Sequence, residues 1–196
     1  MPPRYPDYPY VEPMAVNATE DEIENVLADL LANNPGVQLR DGPLDRVCQS
    51  LNVDLEYSLP PHEILLDVPL NRRAVIWLPK NGRPKHDRVA AAIGIGHWIL
   101  HVPYTREKHP GCGIQALQHP SSKEALQEAK RFALALLMPE NDFKALWYEG
   151  RARAVADELN VPTQTVYERA AMLDLTDMDT GGDKYEWKDR ASSAGF

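Results

Sequence analysis

The chain has 196 residues, 43% of them apolar and 26% charged, and carries a net charge of −8. That length allows one well-buried core with extended ends, and the acidic balance argues against a dominant electrostatic role in nucleic-acid binding. No run approaches the roughly 18 apolar residues of a membrane span, the opening MPPRYPDYPYVEP lacks an apolar signal core, and Cys48 and Cys112 make no disulfide framework, so a reducing cytoplasm is the expected home.

Residues 1–16, rich in proline and tyrosine without a period, read as an irregular arm. A helix follows: Asn17 or Thr19 can cap it, and Glu20, Asp21 and Glu22 sit where the helix dipole favours acids. Ile23, Val26, Leu27, Leu30 and Leu31 make its apolar stripe, and NNPG at 33–36 ends it. A second helix is expected near Pro43, with Leu44, Val47, Cys48 and Leu51 on one face. Segment 52–59 alternates like a half-buried strand, and ILLDVPL and AVIWL (74–78) read as further strands. From Asp87 to His101 the pattern is helical, ending before Pro103, and 103–122 reads as a long loop. A strong helix is predicted from Ser122 to Met138, with Ala125, Ala129, Phe132, Ala133, Leu136 and Leu137 as its apolar side. A shorter one follows at 140–148, then two helices joined by a tight turn, and a tail at 176–196 without periodicity.

The stretch AAAIGIGHWILH at 90–101 carries the chemistry-bearing residues. Two histidines at i and i+4 on a helix face the same way and can hold a metal, while a Glu beside the first serves as base toward the metal-bound water. One register here pairs Ile93 with His97 and places Gly94 at the base position. The other pairs His97 with His101 and places Trp98 there. Neither completes the catalytic pair. Glu128, on an otherwise small and apolar face, must pair, ligate or sit in a cleft, because an unpaired buried carboxylate is costly. His109, Cys112 and His119 are minor candidates as loop ligands. Ala90, Ala91, Ala92, Gly94 and Gly96 leave one side of the helix small enough for close approach of another element.

RVAAAIGIGHWILH at 88–101 resembles the active-site helix of the ImmA/IrrE family of zinc-peptidase-like proteins, sharing Arg88, Ala92, Gly96, His97, Leu100 and His101 with it. EAKRFALALLMP at 128–139 is similar to the family's next motif at every defined position except Lys130, where asparagine is usual. The resemblance covers roughly residues 40–175. It implies an α+β fold: a zincin-like metallopeptidase core of a small sheet plus active-site helices, with a C-terminal helix-turn-helix-like pair. The domain is expected over 17–175, with core motifs at 74–139 between the arm and the tail. By carry-over, His97 matches the second zinc histidine and Glu128 the carboxylate ligand. Ile93 stands at the first ligand and Gly94 at the general base, so no catalytic residue is assigned. The expectation is no resident cofactor; zinc held by His97, His101 and Glu128 is the alternative.

Relatives in this family are often encoded beside repressors in phages and mobile elements and inactivate them by cleavage or contact. The resemblance therefore implies a regulatory protein-binding role, with a transcriptional repressor as the partner class. An active zinc endopeptidase with a rebuilt site is the second reading. The third is DNA binding through the C-terminal pair, where Thr163, Gln164, Thr165, Tyr167, Glu168 and Arg169 would face the nucleic acid with a single cation among them. That scarcity of cations makes nucleic acid the weaker expectation.

Overall fold

The structure is a computed structural model, and it describes residues 8–34, 42–58, 63–80 and 82–175. The expected tail at 176–196 and the first seven residues of the arm lie outside these. Thr19 is the cap of α1 (Glu20–Ala32): its hydroxyl accepts from the Glu22 N–H while the Glu22 carboxylate accepts from the Thr19 N–H. Ile23, Leu27 and Leu30 of the predicted stripe are buried. α2 (Asp45–Ser50) buries Val47 and Cys48, and burial pushes the Cys48 thiol up to about 12.

Five strands form one sheet: β1 (Tyr10–Val11), β2 (Val53–Ser58), β3 (Ile64–Val68), β4 (Ala74–Pro79) and β5 (Gly113–Leu117), in the order β1-β5-β3-β4-β2. β1 runs parallel to β5 and β2 parallel to β4, while β3 is antiparallel to both β4 and β5. β4 shows the period-2 burial that its sequence promises, with Ala74, Ile76 and Leu78 facing the core. Two strands depart from the expectation. GIQAL at 113–117 contains glycine, glutamine and alanine, poor strand formers, and is held extended by pairing on both sides. Residues 10–11, inside the arm read as irregular, are the second partner that β5 finds.

The histidine helix also differs. It starts early as α3 (Pro84–Gly96), passes through a π-helical turn (His97–His101), and continues as α4 (Val102–Lys108) straight through Pro103. A proline lacks the N–H for a helical bond, so an uninterrupted α-helix would be broken there. The wide turn removes the conflict: the Val102 N–H bonds the His97 carbonyl, and Pro103 falls in the first turn of α4, where its missing donor costs nothing.

α5 (Glu124–Leu137) lies across α3, with its six predicted apolar residues all buried. α6 (Glu140–Glu149) follows Pro139. α7 (Ala152–Glu158) and α8 (Thr163–Met172) are joined by a tight turn in which Asn160 takes a φ of 52°. That left-handed residue lets the Val161 N–H reach the Ala156 carbonyl and close the helix end. Arg169 of α8 is 1% exposed and donates from Nε to the Met138 carbonyl at 3.1 Å, fastening the pair to the end of α5. No helix among the described residues is long and apolar enough to cross a membrane.

Candidate functional site

The π-helical turn and α5 bring three of the sequence-predicted side chains together. His97 Nδ1 lies 3.0 Å from His101 Nδ1, and His101 Nε2 lies 2.9 Å from Glu128 Oε2. All three are sealed: His97 is 2% exposed, His101 0% and Glu128 5%. Two further groups complete the site, and neither is legible locally. The Val16 N–H donates to Glu128 Oε2 at 3.0 Å, and the Met14 N–H donates to Thr105 Oγ1 at 2.9 Å, across 112 and 91 residues of chain. No periodicity or spacing could have announced these backbone donors.

Burial pushes the His97 ring down to about 3, helped by the charge that His101 would carry. His101 is also held below its ordinary value, because its loss of water outweighs the hydrogen bond and charge of Glu128. Both rings are therefore neutral near pH 7. With Glu128 as a carboxylate, the protons fit one way. His101 Nε2–H donates to Glu128, and bare His101 Nδ1 accepts from His97 Nδ1–H. His97 Nε2 is then left as a bare nitrogen, buried and without a hydrogen-bond partner among the described residues.

A zinc site of two histidines and a carboxylate needs three lone pairs converging on one point, each about 2.0–2.2 Å away. Here both nitrogens of His101 are spent, one on His97 and one on Glu128, and the histidine nitrogens that approach each other share a proton. Among the described residues, no group of three or more His, Cys, Asp or Glu side chains is placed to hold a metal. The residues as arranged do not fit zinc. His109, Cys112 and His119 do not join this set.

The two replaced positions are packed. Ile93 is half-buried against the core. A Cβ on Gly94 would lie 2.9 Å from Cδ1 and Cγ1 of Ile76, so β4 already fills the space a side chain at 94 would enter. A Cβ on Gly96 would lie 2.9 Å from the Ala129 carbonyl oxygen, so that glycine sets how closely α3 approaches α5. Arg88, which the resemblance also shares, donates to the Gly42 carbonyl and ties α3 to the segment before α2.

In the C-terminal pair, Thr165 and Arg169 are buried, while Gln164 and Glu168 are exposed. The one cation of the expected recognition set is thus turned inward.

The family model described as an IrrE N-terminal-like domain matches residues 48–171, well over half of the chain. No curated protein matches it.

Proposed function

The chain belongs to the IrrE N-terminal-like domain family, a metallopeptidase-related group, and from that premise we propose that it is a catalytically degenerate member acting as a regulatory protein-binding module. A transcriptional repressor of a phage or mobile element is the partner class to test first. The observation that carries the reading is the closed chain of hydrogen bonds from His97 through His101 to Glu128, with Gly94 at the base position packed against Ile76. A general base must reach the proton it abstracts, and position 94 offers no group that ionises. The site is sealed, so a binding module of this kind acts through its outer surface. The inward position of Arg169 and the overall charge of −8 favour a protein over a nucleic acid as its target.

The test is metal content by mass spectrometry on protein purified without added metal, beside His97→Ala and Glu128→Ala variants, with a peptide-hydrolysis assay. The reading expects no stoichiometric zinc and no chelator-sensitive cleavage. Near-stoichiometric zinc lost in both variants, together with cleavage that a chelator abolishes, would overturn it in favour of an active endopeptidase.

A further inference from the structure

We propose that the outer edge of β5, with the Thr105 and Glu128 acceptors beside it, is a docking groove for an extended peptide segment of a protein partner, and that residues 8–16 are the chain's own stand-in for that peptide. This rests on the protein-binding reading above and names the kind of partner.

The stand-in is bound through its backbone and a few side chains: Tyr8 Oη accepts from the Leu70 N–H, Glu12 accepts from Ser121 Oγ, and Val11 and Val16 pack on the core. Tyr10 and Val11 pair with Gly113 and Ile114, and the Gly113 N–H donates to the Pro9 carbonyl at 2.9 Å. Farther along, the N–H groups of Met14 and Val16 reach Thr105 Oγ1 and Glu128 Oε2. Any extended segment carries such donors, which is how strand addition at a sheet edge supplies affinity without a fixed sequence. Selectivity comes from Gly113. A Cβ there would lie 2.3 Å from Tyr10 Cε1, so the absence of a side chain at 113 is what seats the aromatic ring. The groove thus reads an aromatic side chain at one position and free backbone N–H groups four and six residues later.

Burial separates the groove from its occupant. Thr105 and Ile114 are 0% exposed and Glu128 5%, whereas no residue from Tyr8 to Asn17 is buried, and Met14 is 36% exposed. The occupant holds only a two-residue ladder, flanked by Pro9 and Pro13, which have no N–H to extend it. Removing it uncovers the core beneath Val11 and Val16 and strips a donor from each of two buried acceptors, so the vacated groove favours another extended chain over water. Elements with few buried contacts open at the low end of the local stability range.

The experiment uses the full chain and a fluorescein-labelled peptide, DYPYVEPMAVN, matching residues 7–17. In the wild type the tethered segment competes, so apparent affinity is reduced by the fraction of molecules that are closed. Val16→Pro in the chain removes one donor of the tethered copy and leaves the groove intact, and the peptide should then bind about tenfold tighter, read by fluorescence polarisation. A peptide with Tyr10→Ala, or with Val16→Pro, should bind about tenfold more weakly than the parent. No saturable binding by a folded Val16→Pro chain, or affinity indifferent to the tyrosine, overturns the proposal. Amide exchange on the wild type remains decisive even if that variant fails to fold. The amides of Met14, Val16 and Gly113 should exchange about a hundredfold faster than that of Ile76 in mid-sheet. Equal rates would mean that the segment leaves only on global unfolding and would also overturn the proposal. Failure here leaves the binding-module reading standing with a partner on another face, whereas zinc-dependent cleavage would sink that reading whatever the peptide does.

Discussion

Along the helix from Pro84 to His101, two glycines on different faces are closed by close packing, Gly94 against Ile76 of β4 and Gly96 against the Ala129 backbone of α5, whereas His97 and His101 are closed by hydrogen bonds ending on Glu128. Both closures are buried, yet they respond differently to change. A packed side tolerates or refuses added volume according to whether its neighbour can move. A buried polar chain depends on every member, because losing one strands the next without a partner.

The polar side should break hardest. His101→Ala leaves a buried Glu128 with one fewer donor and His97 with two unpartnered nitrogens, and should cost about 3 kcal/mol in urea-unfolding stability. A loss below about 1 kcal/mol would mean that the chain contributes little.

Acid should act on the same side more gently. His97 holds its proton only near pH 3 when folded, against an ordinary 6.5. Below 6.5 the unfolded chain therefore binds the proton and the folded one does not. Stability is fully present above 6.5 and declines as the pH falls toward 3, by roughly 1.4 kcal/mol per pH unit for one proton. His101, depressed in the same direction, adds to the slope. With a chelator present, His97→Leu should flatten the decline between pH 6.5 and 5 by about 2 kcal/mol relative to wild type; an unchanged slope would place the acid sensitivity elsewhere.

At the packed glycines, two one-carbon additions should both cost stability, the one against backbone more. Gly96→Ala drives a methyl into the Ala129 backbone, which cannot rotate away, and should lose about 1–3 kcal/mol despite alanine's better helix propensity. Gly94→Ala places a methyl 2.9 Å from Cδ1 and Cγ1 and 3.0 Å from Cγ2 of Ile76, a fully buried β-branched side chain with little freedom to turn, so the propensity gain offsets only part of the strain, for a loss of about 1–2 kcal/mol. If thermal unfolding ranks the two the other way, the position of α5 over α3 is not set by Gly96.

The amino-acid order by itself determined what depends on neighbours a turn or two away. The Thr19 cap, the stripe of α5, the alternation of β4 and the tight turn between the last two helices were legible because helical and strand periods and turn chemistry are local properties. The motifs also marked the three side chains that meet in the site, His97, His101 and Glu128, along with the ligand and base positions that Ile93 and Gly94 occupy. Tertiary structure decided the rest. β5 is a strand because β1 and β3 flank it, not because GIQAL prefers to extend. The π-helical turn lets a helix run through Pro103, which the local rule would have made its end. Above all, Glu128 accepts from His101 and from Val16, 27 and 112 residues away, and no local signal encodes which distant N–H will reach a carboxylate once the chain has folded.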